Sequence, residues 1–305
     1  MKTEIRKGYA ALGIVSLFWG TSYTASKIGN NYMPAIFMAA VRQFFTGLIL
    51  TIYFVGKKHS LPHRADLKKI FIQGLLLLFL GNGLVTWSLE FISSGLAAII
   101  ATLTPLFIAI FSTIFNKYVK ISAWMFSGLI IGFAGICIIF YDYIDQISSH
   151  SFITGISLSL LSVLAWSFGS VYSSTHKLSV NILFSVGLQM FISGSLLMLI
   201  CFISGKHVSL MQVPAMGWYA LLYLIFIGSL LSYSAYVFAL SRLPAALVSV
   251  YAYINPVVAI LLGWILLKEK MNALMLPGTV VILYGVYLVN REFNRQNGGK
   301  PDTDS

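Results

Sequence analysis

The stretch SVYAYINPVVAILLGWILLKEK, residues 249–270, is apolar for most of its length, is interrupted by Asn255-Pro256 and ends in a Lys-Glu-Lys cluster. About twenty residues rising about 1.5 Å each match a hydrocarbon core about 30 Å thick, so length alone makes this a membrane span. Pro256 has no N–H and crowds the preceding turn, which frees a carbonyl that lipid cannot satisfy and that must face protein or water. The expected structure is a broken helix in the wall of a pathway.

The rest of the chain has the same character. Of its 305 residues 58% are hydrophobic and 10% charged, where a water-soluble globule carries about 25% charged residues. The composition is that of an integral membrane protein whose surroundings are a lipid bilayer. The formal charge of +11 does not point to nucleic acid, because the basic residues sit in short connections between apolar runs and there report topology and contact with anionic lipid. Cys137 and Cys201 lie inside apolar runs and build no disulfide framework. The five histidines fall in connections, and His59 and His63, although four residues apart, have Pro62 between them to break the helix a metal pair would need. With no nucleophile beside a base, no phosphate loop and no carboxylate cluster, the reading is not an enzyme and has no cofactor.

Apolar runs of spanning length number about ten: residues 8–28, 34–55, 70–91, 94–115, 122–141, 152–173, 181–204, 217–240, 243–267 and 273–290. Of the twenty Lys and Arg residues, Arg42 falls inside a run, and Lys27, Lys206, Lys268 and Lys270 fall on one side of the membrane. All the others fall on the opposite side, which the positive-inside bias makes cytoplasmic, with both termini there. Adding 147 to a residue number maps Gly8, Trp19, Phe44 and Gly47 onto Gly155, Trp166, Phe191 and Gly194. Adding 151 maps Leu89, Leu96, Pro105 and Lys117 onto Leu240, Leu247, Pro256 and Lys268, and adding 150 maps Gly128 and Gly135 onto Gly278 and Gly285. Five spans therefore repeat as five, and an odd number sends the second copy through the membrane from the opposite face. The expected fold is an all-α integral membrane protein of ten transmembrane helices in two inverted five-helix repeats, residues 1–145 and 146–290, with a disordered cytoplasmic tail over 291–305. The basic, then apolar start resembles a signal peptide, but its recurrence in the second half makes it the first span.

Several residues carry a further likeness: 18–23 (FWGTSY) in the first span, Val41-Arg42 in the second and Thr104-Pro105 in the fourth, then Trp166, Asn255-Pro256, Glu269, and Gly278 with Gly285. In this order, and twice over, they resemble the drug/metabolite transporter superfamily, specifically its ten-helix EamA-type branch, over residues 8–290. The resemblance implies a carrier with a central cavity in the cell (inner) membrane, moving amino acids, metabolites or amphipathic drugs, usually outward. The chain departs from symmetry where Tyr118 stands opposite Glu269 and Gln189 opposite Arg42.

Candidate site residues follow from polar groups within apolar runs. A guanidinium a third of the way into a span marks either a pathway or an ion pair, and Glu90, the carboxylate nearest in depth, is the expected partner of Arg42. Asn82, Thr86 and Glu90 share a helix face, as do Ser229, Ser232, Tyr233 and Tyr236, and facing lipid would be costly for both groups. Trp19 and Tyr23 in the first span and Trp166 in the sixth offer aromatic walls, although the serines around them also suit close helix packing. Pro105 and Pro256 mark matching helix breaks, and Tyr251, Tyr253 and Asn255 give the ninth span more polar chemistry than the fourth. Together these point to a secondary carrier exporting a small metabolite, an amino acid or related compound, or an amphipathic molecule by alternating access, driven by the substrate gradient or by protons as coupling ion. An exchanger of phosphorylated or nucleotide sugars would want more pathway cations than Arg42 and Lys27. A receptor or scaffold without transport would have no use for two matched half-gates. Both a monomer and a dimer fit the sequence.

Overall fold

The computed structural model describes residues 2–115, 122–141, 149–249, 251–269 and 273–298, and every regular element among them is helical. Helix α1 is Lys2–Asn30, α2 Ala35–Gly56 and α3 Arg64–Ser88. Helix α4 comes in two pieces, Ser94–Ala101 and Thr104–Phe115, and α5 is Ala123–Tyr141. Helices α6, α7 and α8 are His150–Thr175, Ile182–Ile203 and Ala215–Arg242. Helix α9 is again in two pieces, Ala245–Val248 and Tyr251–Leu267, and α10 is Met275–Gly298.

By length and apolar composition, six of the described helices are able to cross a membrane: α2, α3, the Ser94–Thr113 part of α4, α6, α7 and α8. Shorter apolar stretches, Ala123–Ile139, Ile254–Leu267 and Met275–Val289, lie in α5, α9 and α10. Helix α1 falls outside both groups although it is the longest, because Ser16, Thr21, Ser22, Thr24, Ser26 and Lys27 dilute its apolar residues. Those polar groups face other helices: Ser16, Thr24 and Ser26 are buried.

Local chemistry sets the ends. Asn181 caps α7 by accepting from Leu183 N and Phe184 N, and Ser93 caps α4 by accepting from Leu96 N. Pro34, Pro214 and Pro244 stand just before α2, α8 and α9, where a fixed φ suits helix entry and no ladder bond is lost. Helix α7 turns off through Gly205 at φ 66°, and α2 at the matching place through Lys58 at φ 57°. The second exit carries a Cβ in the left-handed region, where glycine is the unstrained choice.

The helices pack in matched pairs. Helix α2 lies along α7 and α5 along α10; α1 meets α9 as α6 meets α4, and α1 meets α8 as α6 meets α3. At the α2–α7 crossing a Cβ on Gly47 would stand 2.2 Å from Phe191 N, and one on Gly194 would stand 2.3 Å from Phe44 N. The two contacts are reciprocal, each a glycine of one helix against a phenylalanine backbone of the other. At the α5–α10 crossing Gly128 abuts Gly285 O and Gly135 abuts Gly278 O, with a Cβ at 2.7 and 2.8 Å. Small residues let backbones touch, which in lipid replaces the hydrophobic drive as the source of helix association.

Two expectations are corrected. The interruption of α9 does not fall at Asn255-Pro256: Pro256 lies inside the piece Tyr251–Leu267, and the break precedes it, after Val248. The break of α4, by contrast, sits at Thr102 and Leu103, directly before Thr104-Pro105. Pro105 is the second residue of the second piece of α4, where an early N–H has no partner within the helix; Pro256 is the sixth residue of its piece and forgoes one ladder bond inside the helix. The tail from 291 is helical as far as Gly298, with Arg295 bonded to Glu292 at 2.9 Å; residues 299–305 of the expected disordered tail lie outside the described residues.

Replacing Gly47 or Gly194 by Ala is expected to cost about 1–3 kcal/mol and to lower the melting temperature of the detergent-solubilised protein followed by tryptophan fluorescence. Gly13→Ala, where nothing lies within 4 Å of the added carbon, should leave the melt unchanged or raise it.

Candidate functional site

Helices α3 and α8 each contain a π-helical segment, Gly74–Asn82 in one and Leu224–Leu231 in the other. The wider i→i+5 ladder sets backbone carbonyls off the regular line, and such segments collect at functional sites. Here each is bonded from the opposite half. Trp19 Nε1 of α1 donates to Gly228 O at 3.2 Å, and Ser162 Oγ of α6 donates to Gly81 O at 2.6 Å. Neither segment shows in the sequence, because an unbroken apolar run carries no record of which carbonyl each N–H takes. Gly81 and Gly228 within such runs were the available signal.

A cavity opens where these elements meet. Its wall takes Trp19 and Tyr23 from α1, Arg42 from α2, Asn82 and Thr86 from α3, Ala101 and Thr104 at the break of α4, Trp166 from α6, Gly228 from α8, and Tyr251 and Asn255 from α9. Both halves therefore contribute, and so do both broken helices. Of the residues singled out from sequence, Trp19, Tyr23, Arg42, Asn82, Thr86, Trp166, Tyr251 and Asn255 are brought together here. Ser229 and Tyr233 are buried outside the cavity wall, and Pro105 and Pro256, in α4 and α9, are not among its lining residues. The side chain of Tyr253 lies outside the described residues. Ser22, Ser26, Val85, Leu89 and Ser162 also line the cavity; Ser26 and Ser162 are among the serines that accompany Trp19 and Trp166 in the sequence, whereas the faces of Ser22, Val85 and Leu89 are legible only once the partners of α1 and α3 are known.

The floor is aromatic. Trp19 packs against Trp166, Tyr236 and Tyr251 with ring centroids 5.2, 4.9 and 5.0 Å apart, and Trp166 lies 5.1 Å from Tyr236. Such ring pairs add about 0.5–1.5 kcal/mol each beyond burial. The polar edges are satisfied: Trp166 Nε1 donates to the Tyr236 hydroxyl at 3.0 Å, and that hydroxyl bonds Ser170 Oγ at 2.6 Å. Beyond the rings, Tyr233 donates to Gln189 Oε1 at 2.6 Å and Gln189 Nε2 to Gln73 Oε1 at 2.9 Å. Gln73 in turn lines a second hollow with His176, Lys177 and Arg242. The aromatic layer and this amide chain separate the two hollows.

Arg42 is buried, donates to Asn82 Oδ1, and has no partner at Nε. Asn82 Oδ1 also accepts from Gln43 Nε2 at 3.1 Å, and Gln43 Oε1 accepts from Ser193 Oγ at 2.6 Å. The expected pair of Arg42 with Glu90 does not form. Glu90 sits in the turn after α3 and accepts from Ala35 N at 2.8 Å, at the start of α2. An anion at a helix N-terminus meets unpaired N–H groups and the positive end of the dipole, and that attraction takes the carboxylate away from the guanidinium. The other charges at this end are held in the same way. Lys27 Nζ donates to Leu89 O at 2.5 Å and Ile92 O at 2.9 Å, beyond the C-terminus of α3. The Glu269 carboxylate accepts from Ser94 N at 2.9 Å and Ser94 Oγ at 2.7 Å, at the start of α4. The chain folds back to place Glu269 through Lys268 at φ 53°, and Gly263 leaves the room, since a Cβ there would meet Glu269 Oε2 at 2.4 Å. Glu269 of one half thereby clasps a helix of the other.

A helical bundle of membrane-spanning segments, packed in mirrored pairs around one cavity fed by both halves, is the build of a membrane transporter. The chain belongs to the EamA-like transporter family, of the drug/metabolite superfamily, whose pattern it matches twice, over residues 6–141 and 153–291. It is 34% identical over 283 residues to the uncharacterised inner membrane transporter YedA of Escherichia coli K12, covering 92% of this chain and 90% of that one. It is 29% identical to the uncharacterised transporter YvbV of Bacillus subtilis, covering 93% and 92%. A solved structure superposes with a TM-score of 0.66 over 96% of this chain and 99% of the other at 17% identity, a likeness of fold alone. The protein is a transporter of the inner membrane.

Glu269→Ala removes the acceptor of two α4 donors. Amide exchange at Ser94 and its neighbours should speed up by about tenfold, the equivalent of one lost hydrogen bond, while exchange in α6 stays as it was; hydrogen–deuterium exchange with mass spectrometry reads both.

Proposed function

We propose that this transporter is a secondary carrier that exports small amphipathic organic molecules by alternating access, through ten membrane spans in two inverted halves with both termini cytoplasmic. The observation that carries the reading is the cavity at the junction of the halves, walled by both broken helices and touched by both π segments. Discontinuous helices at a repeat interface are where secondary carriers bind their cargo, because only there is irregular backbone shielded from lipid. The mirrored contacts of α1 with α8 and α6 with α3 supply two related seams, and opening them in turn would expose the cavity to one side and then the other. The excess of Lys and Arg on one side sets the direction of the chain.

Aromatic walls suit a cargo with an apolar body. Phosphorylated and nucleotide sugars fit less well, since Arg42 is the single cation facing the cavity among the described residues. Glu90, bonded at the N-terminus of α2, is poorly placed to carry a proton through the pathway, so the substrate gradient is the favoured driving force.

Counterflow into proteoliposomes, with a panel of ring-bearing and aliphatic metabolites, tests the carrier; no flux for any of them overturns it. Trp19→Ala, which removes the ring shared by three aromatic contacts and the donor to Gly228 O, should lower the amount of folded protein and cut the flux per folded molecule by about tenfold or more.

A further inference from the structure

One side chain in the cavity wall carries a full charge. Arg42 is 4% exposed; its partner Asn82 is a neutral amide, its Nε is unpartnered, and no carboxylate pairs with it among the described residues. A dipole offsets only part of the cost of holding a cation out of water, and an intramembrane charge left in this condition marks a site. The remaining lining groups are hydroxyls, indoles, phenols, amides and hydrocarbon. The two acids at that end, Glu90 and Glu269, are engaged with the N-termini of α2 and α4. Also in the cavity wall, Asn255 is 1% exposed and its Oδ1 has no donor. The cavity thus offers one unmatched cation, one unmatched acceptor, aromatic walls, and no anion.

On the carrier reading above, we infer that the cavity binds a small organic monoanion, a carboxylate on an apolar or aromatic body, held by Arg42, with Asn255 accepting from a hydroxyl or N–H of the same molecule. A guanidinium takes a carboxylate through two parallel bonds and neutralises it. A phosphate ester or diphosphate brings more negative charge than one guanidinium cancels. An amino acid zwitterion brings an ammonium group that finds no carboxylate in the wall and has only the faces of Trp19 and Trp166 to meet it. The competing role for Arg42 is to tie α2 to α3 through Asn82. An arginine with that role alone would not rank ligands by charge.

The test uses the full chain in detergent, with tryptophan fluorescence reading binding of phenylacetate, phenylacetamide, phenylalanine and phenethylammonium, four probes that share a ring and differ in charge. The same probes are then run in proteoliposome counterflow. Phenylacetate is expected to bind at least about tenfold tighter than the other three. In Arg42→Gln its advantage over phenylacetamide should vanish, and in Arg42→Lys part of it should remain. Tighter binding of phenylalanine or phenethylammonium, equal binding of all four, binding of none, or an advantage undiminished in Arg42→Gln overturns the inference. Should Arg42→Gln fail to fold, the charge ranking in the unaltered protein decides alone. Charge-selective binding without counterflow refutes the carrier and leaves the site assignment standing; counterflow with no preference for the anion does the reverse.

Discussion

A backbone carbonyl or amide facing hydrocarbon without a partner costs several kcal/mol, and the architecture is arranged around that constraint. Two helices are broken and two more carry π segments, so carbonyls leave their regular partners near the middle of the bundle. They are met from across the seam: Gly228 O by the Trp19 indole and Gly81 O by the Ser162 hydroxyl, with Thr104 O at the break of α4 accepting from Ser167 Oγ at 3.2 Å. Each half completes the hydrogen bonding of the other. Irregular backbone and cavity are therefore one feature, because the only place where such backbone survives is between the halves.

The same rule governs the charges at the end of the bundle where α1 and α3 finish. Lys27, Glu90 and Glu269 lie close in the fold, and simple Coulomb reasoning would pair them. Instead each meets a helix terminus, where four unsatisfied backbone groups and the helix dipole compete with the opposite side chain. Helix ends in a membrane protein are stronger partners than in water, since fewer water molecules stand ready to take their place. This leaves Arg42 without its expected acid and makes its unmatched charge available to a ligand.

Much of this was legible in the sequence. Run lengths and the recurrence of Trp19 in Trp166 and Gly47 in Gly194 located the helices and the seam, and eight of the residues picked as polar groups or aromatic walls within apolar runs line the cavity. Three features were not legible, for separate reasons. The π segments change hydrogen-bond register without changing hydropathy. The partner of Glu90 depends on where α3 ends, a matter of one turn that composition does not resolve. The break of α9 precedes Pro256 rather than coinciding with it, because a packed helix can carry a proline in its interior at the loss of one ladder bond.

The lone guanidinium also has a consequence in volts. Loaded with a monoanion, the cavity is neutral; empty, it carries one positive charge. Moving a full charge through 100 mV is worth about 2.3 kcal/mol, so an interior-negative membrane potential acts on the empty carrier and hardly at all on the loaded one. On the proposed export of an anion by alternating access, it would draw the vacant site toward the cytoplasm, where the next anion would be collected, and leave the outward, loaded step free of electrical work. In a carrier of this charge, voltage would add to the substrate gradient by resetting the cycle in the direction of export, without a coupling ion.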